Sequence, residues 1–307
     1  MTSLPTRVLT FGGTVVEIEY TGGRSAEIVD FLFERIPRAA SHSVAQARLR
    51  LTEDPVDGVF TLRNHEEVCC VDRSAGAVAS WLLHATCRQL VLAGARTNGL
   101  LLHAAAVKWA GRGLLLAGAT GSGKSTLTAF LTNRGFDYLS DELVYVPLES
   151  MCVEGFTAPL KIKRSGVDAL EGRVPLTTEG RVSMAGRHDV LVQPGADARA
   201  TAPVSLSVIV FPRYQPNSEF RLKALTPAQT GLRLMAGVLN GERLPDHGFR
   251  AAARVASLAA GYTMRYASLT QVEVYLELLR HITSASGTIR ARRRGIKMHR
   301  APAVVPD

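Results

Sequence analysis

The sequence predicts an α/β (α+β) chain with a small mixed N-terminal domain over residues 1–96, a larger domain over 97–285 built on a phosphate-loop core, and a basic tail over 286–307. Three observations predict this. The first stretch mixes an alternating run with a run of helical spacing. "GATGSGKS", Gly118 to Ser125, stands between an apolar run and an amphipathic one. Just before it, a long helical pattern gives way to two apolar runs joined by a glycine-bearing turn, which places a domain boundary near residue 97.

In chain order, "TVVEIEY" (Thr14 to Tyr20) alternates as a strand does, and "SAEIVDFLFERI" (Ser25 to Ile36) has apolar residues at helical spacing. "GVFTLR" and "VCCVDR" read as two further strands, and Ala75 to about Ala95 as a core-facing helix. "LLLHAAAVKW" and "GLLLAGA", joined by "AGRG", form a hairpin, so the strand feeding the glycine-rich loop is expected antiparallel to its predecessor. "KSTLTAFLTNRG" is a helix stopping at Gly135, and "YLSDELVYV" a strand with an acidic interruption.

Met151 to Pro203, rich in Gly, Pro and Thr, is expected to be irregular apart from "PLKIK", with a mobile loop around Glu171 to Asp189. "VSLSVIVF" is a buried strand. Thr226, Pro227 and Gln229 supply N-cap, N1 and N3 of a helix, "GFRAAARVASLAAG" is another helix, and "YTMRYA" a strand. The last helix, "TQVEVYLELLRHI", is expected to be capped by Thr270 and Glu273.

A chain of 307 residues, 46% hydrophobic and 21% charged, can bury a full core and has the composition of an ordinary globular protein. No run is apolar for long enough to span a bilayer, and the N-terminus lacks a basic start followed by an apolar stretch. A cytoplasmic location is expected. The four cysteines form no C-x-x-C pair and have no histidines at zinc spacing, so buried reduced thiols are expected rather than a disulfide framework or a structural metal. Part of the net charge of +9 gathers in "TIRARRRGIKMHR", a run suited to an acidic peptide, a nucleic acid or a membrane surface, though a solvated terminus is the plainer reading. A nucleic-acid partner is not expected.

"GATGSGKS" fits G-x-x-x-x-G-K-[ST]. Its glycines let successive N–H groups turn toward phosphate oxygens, Lys124 supplies a point charge, and the Ser125 hydroxyl can sit on Mg²⁺. Gly118, Ala119, Thr120, Gly121, Ser122, Gly123, Lys124, Ser125 and Thr126 are the expected nucleotide-binding residues. Asp141 follows after room for one helix and a short turn, much sooner than the magnesium-orienting Asp of most folds with such a loop. A carboxylate there can hold a metal or accept the proton of an attacking hydroxyl. On an extended backbone, Glu142 points away from Asp141, which predicts separate tasks for the two.

At these residues the sequence resembles the catalytic domain of the HPr kinase/phosphorylase family and its relatives, which share a core with phosphoenolpyruvate carboxykinase. The resemblance runs through "LLHAAAVKWAGRGLLLAGATGSGKSTLTAFLTNRGFDYLSDELVYV" and weakens toward Ile282. It implies Asp141 as catalytic base with His103 and Lys124 beside the transferred phosphate, and Mg²⁺ on Ser125 with Asp141 or Glu142. A core histidine on a buried strand is the plainer reading of His103. Two departures stand out: the second acid is Glu142 where the family usually has Asp, and "QPGADARA" has Pro-Gly-Ala where Pro-Gly-Arg is associated with phosphorolysis. Kinase activity is therefore expected and phosphorylase activity is not.

The expected function is an ATP- and Mg²⁺-dependent kinase of a serine hydroxyl on a small protein or peptide. A nucleotide-hydrolysing switch or assembly protein and a small-molecule hydroxyl kinase are the alternatives. Relatives often form homo-oligomers, and the resemblance extends that expectation here. Lys161 and Lys163, spaced to share one face of a strand, and Arg213, after "VIVF", are further candidates for contact with phosphate or substrate.

Overall fold

The computed structural model describes residues 4–39, 43–94, 98–176, 183–185, 188–193 and 202–285. The architecture is mixed α/β, with three sheets and eight α-helices among those residues. The basic tail lies outside them, as does part of the loop expected around Glu171 to Asp189.

The first sheet has five strands in chain order: Thr6–Phe11, Thr14–Tyr20, Ala47–Glu53, Phe60–Asn64 and Glu67–Asp72. Only Thr14–Tyr20 and Ala47–Glu53 run parallel, because helix Arg24–Phe33 lies between them in the chain. Ala47–Glu53 alternates buried and exposed residues from Ala47 to Leu51, so Leu49 and Leu51 join Ile28, Leu32 and Phe33 in the core. Helix Ala75–Ala93 adds Val78, Leu82 and Leu83 to it, and Ser74 caps this helix through its side chain.

The large sheet has eight strands with Gly99–Trp109 inside it. Arg112–Ala117 pairs antiparallel with one edge of that strand across a two-residue turn, Ala110 and Gly111, both at positive φ as such tight hairpins require. Along its other edge lie Asp137–Ser140 and Leu143–Pro147. Beyond Arg112–Ala117 the pairing becomes parallel, to Val204–Tyr214 and then Ala260–Tyr266, with Arg221–Ala224 antiparallel at the margin. The strand feeding the glycine-rich loop thus has an antiparallel neighbour on one side and a parallel one on the other.

Successive residues of these strands serve opposite faces. Leu114 and Leu116 pack with Leu127 and Phe130 of helix Lys124–Thr132 and with Leu279 and Ile282 of helix Leu276–Ser284. Leu115 and Ala117 pack with Leu234 of helix Pro227–Met235 and with Ala252 and Val255 of helix Phe249–Leu258. A layer of helices on each face of a sheet buried on both sides explains why its strands read as continuous apolar runs.

Four expectations need correcting. Thr6–Phe11 and Ala47–Glu53 are additional strands. The stretch after Met151 is less irregular than its composition implies: Cys152–Gly155 extends the large sheet, while Leu160–Lys163, Asp189–Val192 and Ser183–Ala185 form a third sheet beside helix Arg164–Leu170. Strands of three or four residues are too short to display a period. The final helix is capped by Ser268, whose side chain accepts from the Gln271 N–H, while Glu273 pairs with Arg134 at 2.7 Å. That helix also breaks at Tyr275, whose ring stacks on Phe220 at 4.1 Å. Finally, the four cysteines form no disulfide among the described residues and are only partly covered, Cys69 and Cys70 because they lie on an edge strand.

Candidate functional site

Strand Arg112–Ala117, buried over its last five residues, delivers the chain to Gly118, and Lys124 opens the following helix. Between them the backbone turns through Gly121 and Gly123, at φ +84° and +97°, a region that residues with a side chain enter only under strain. Gly123 is constrained a second way, since a Cβ there would stand 2.2 Å from the Tyr266 hydroxyl. Tyr266 packs edge-on against Tyr214, and the Tyr214 N–H donates to the Ser122 carbonyl at 3.1 Å. The C-terminal ends of two neighbouring parallel strands therefore brace the loop from below, while Ala119, Thr120 and Gly121 stand exposed at its tip.

Lys124 is buried and folded back over the loop, its Nζ donating to the Gly118 and Ala119 carbonyls at 2.8 and 3.3 Å. Burial lowers its pKa, and the charges of Asp141 and Glu142 oppose that shift. Ser125 and Thr126 follow on the first turn of the helix. Thr126 Oγ1 lies so close beneath Gly166 that a Cβ on the glycine would come within 2.7 Å. Lys163 adds a positive field at Lys124, and it shares a face of its strand with Lys161, while Leu160 and Ile162 turn inward.

Asp141 and Glu142 occupy a break in one antiparallel ladder. Ala106 pairs with Ser140 and His103 with Leu143, so the two acids bulge opposite Ala104 and Ala105. Ser140 closes the bulge, its buried hydroxyl donating toward the Leu143 and Phe156 carbonyls at 2.7 and 3.0 Å. Asp141 is 3% exposed, and burial is the main cause of a pKa raised to about 8, with the Glu142 charge adding to it. The Ser125 hydroxyl, the Lys161 N–H and the Lys124 charge pull the other way. That N–H donates to Oδ2 at 3.3 Å, whereas Oδ1 is buried with no hydrogen-bond partner among the described residues.

Glu142 faces the other way, as the extended backbone predicts, with its Oε2 3.7 Å from His103 Nδ1. His103 is the one partly exposed residue between Leu100 and Val107, so it opens into the site rather than into the core. Two bonds to the chain after helix Pro227–Met235 fix its strand: the His103 N–H donates to the Gly237 carbonyl, and the Asn240 side chain bonds both Leu101 N and Gly99 O. Arg213 is exposed at the strand end beside the loop.

Lys124, Ser125, Asp141, Glu142 and His103 are thus gathered at one end of the large sheet. Sequence reasoning missed Ser140, Asn240, Tyr214 and Tyr266, which position these groups through bonds and contacts within the protein. A serine between a tyrosine-containing strand and an acidic pair was the available signal for the first; the others had none.

The donor set fits a hard cation beside phosphate. Mg²⁺ takes few protein ligands, usually a carboxylate or two plus phosphate oxygens and water. Asp141 Oδ1 is an orphaned buried acceptor, and the Ser125 hydroxyl adjoins the same carboxyl group. The absence of any cluster of three His, Cys, Asp or Glu side chains among the described residues is compatible with such a site. Ser122 Oγ, inside the loop, is likewise buried and unpartnered among the described residues.

No protein-family model matches the chain, and no curated protein matches it. Among solved structures, one match is the HPr(Ser) kinase/phosphatase from Coxiella burnetii, at 12% identity and a TM-score of 0.29, covering 59% of this chain and 95% of that one. A score that low carries no inference about shared fold or activity. No helix among the described residues is long and apolar enough to cross a membrane.

Proposed function

We propose that the protein is an ATP- and Mg²⁺-dependent kinase that phosphorylates a serine hydroxyl on a small protein or peptide, on a core of the HPr-kinase and phosphoenolpyruvate-carboxykinase type. The observation that carries this is the Asp141 carboxyl: buried, proton-retaining, and set beside Lys124 and Ser125 with one oxygen left without a partner. The motif resemblance over Leu100 to Val146 supports the same assignment.

In this reading the amides of Gly118 to Ser125 surround the phosphates. Lys124 exchanges its two loop carbonyls for phosphate oxygens, which restores the ionic partner its buried ammonium lacks. Ser125 and Asp141 would hold the cation, which would neutralise charge on the transferring group. The Ser125 hydroxyl, the Lys161 N–H and the Lys124 charge favour the ionised form of Asp141, which can act as a base for the incoming hydroxyl. His103, held near Glu142, lines the approach to the transferred phosphate. Glu142 offsets the charge of Lys124 and is a second candidate metal ligand. A phosphorylase reaction is not part of the proposal, nor is a nucleic-acid partner; a cytoplasmic homo-oligomer is.

Incubation with γ-labelled ATP, Mg²⁺ and serine-containing peptides tests this. Phosphoserine is the expected product. Free phosphate alone would point to a hydrolysing switch protein, and label on a small hydroxylic metabolite to a small-molecule kinase. Asp141→Asn is expected to lower transfer by about 10²–10⁴-fold, the range of a general base, while nucleotide still binds. Lys124→Ala is expected to weaken nucleotide binding itself, measured by calorimetry.

A further inference from the structure

A cavity of about 620 Å³ opens between the first sheet and the third. Its outer wall is the last strand of the first sheet, Glu67–Asp72, with Trp81 and His84 of the following helix; its inner end is formed by Ser80, Lys161 and Asp189. The volume is that of a ligand site rather than a packing defect.

The inner end leads to the candidate catalytic carboxyl through a short chain of bonds. Ser80 Oγ donates to Asp189 Oδ1 at 2.7 Å, and Lys161 Nζ lies 3.4 Å from Asp189 Oδ2. The backbone N–H of the same Lys161 donates to Asp141 Oδ2. One residue therefore forms the cavity wall with its side chain and orients Asp141 with its main chain.

The lining chemistry narrows the occupant. Asp72 and Asp189 outnumber the one ammonium, Lys161, so the cavity offers no surplus positive field of the kind a polyanion or a sugar phosphate needs. It suits a ligand that is neutral or basic and carries both donors and acceptors. At the mouth, Val71 and Trp81 are 58% and 49% exposed, and they continue an apolar strip onto the surface. A ligand longer than the cavity can cover that strip, with Trp81 as an aromatic anchor of the sort that dominates peptide interfaces.

We infer that this cavity is the acceptor site and takes a serine-bearing polypeptide segment, with Trp81 as its anchor at the mouth; this inference rests on the kinase reading above. In the transfer, the serine Oγ–P bond forms, the bridging oxygen bond to the γ-phosphorus breaks, the hydroxyl proton passes to Asp141, and nucleoside diphosphate leaves.

An immobilised array of short serine-containing peptides, each with its Ser→Ala control, incubated with γ-labelled ATP and Mg²⁺, supplies the probes. For the peptides that the wild type labels best, Trp81→Ala is expected to raise KM by roughly 10-fold, the effect of losing a buried aromatic anchor, with kcat changed little. Trp81→Phe is expected to recover most of that loss, and calorimetric ATP affinity is expected to match the wild type in both variants. An unchanged KM in Trp81→Ala would overturn the cavity assignment and leave the kinase reading standing. If the wild type labels no peptide while releasing phosphate, the kinase reading fails and the acceptor site fails with it. If free hydroxylic metabolites are labelled and peptides are not, the polypeptide occupant is overturned.

Discussion

Asp141 concentrates the electrostatic tension of the molecule in one side chain. Its carboxyl keeps a proton to about pH 8 because burial and the Glu142 charge disfavour ionisation. Raised above the ordinary aspartate value of 3.8, this pKa means that between those two pH values the native state holds a proton that the unfolded chain has released. Folding stability then falls as pH rises through that window, the reverse of the usual salt-bridged carboxylate. Asp141→Asn, which mimics the protonated form, is expected to flatten that part of the profile, as read by urea denaturation at successive pH values between about 4 and 8. Bound cation and phosphate add opposing charges at once, so transfer is expected to rise with pH along a limb whose midpoint moves below 8 as Mg²⁺ concentration increases. A rate independent of pH across this range would remove Asp141 from the role of base.

At the level of elements, the loop is shaped less by its own glycines than by what lies beneath them. Gly123→Ala would combine a left-handed backbone with a methyl group against Tyr266, and is expected to cost about 1–3 kcal/mol of stability and to impair nucleotide binding. Its effect should be partly relieved by Tyr266→Phe, which removes the clashing oxygen. Thr226→Ala, which opens the capping box of helix Pro227–Met235, is expected to cost about 1 kcal/mol in chemical denaturation while the site is unchanged. The long elements were legible in the sequence because helix Ala75–Ala93, the hairpin at Ala110 and Gly111, and that capping box each carry a strong local signal. The motif residues from Gly118 to Ser125 and the acidic pair were equally plain. The third sheet was not, since its strands are short and its pairing joins segments distant in sequence. Neither was the bracing by Tyr214 and Tyr266, which depends on parallel pairing that no local pattern encodes.

Across the whole molecule, the candidate site sits at one end of the large sheet, and the first sheet packs against later parts of the chain. The core of the first sheet includes Leu143, Phe156 and Leu191 from the later part of the chain, so the two parts share buried surface. The cavity lies between the first sheet and the third, and the bonds linking Ser80, Asp189, Lys161 and Asp141 run from the helix after the first sheet, through the third sheet, to the large one. One structural feature sets how this assembly breathes. Strand Gly99–Trp109 is bonded along both edges, whereas Ser183–Ala185 and Arg221–Ala224 are margins paired on one side only. Amide exchange followed by mass spectrometry is therefore expected to be slowest for Leu102 to Val107, which open only with global unfolding, and faster at Ser183 to Ala185 and Arg221 to Ala224. These margins can then fluctuate while the strand that carries His103 stays in register, a division of labour between yielding edges and an unyielding centre.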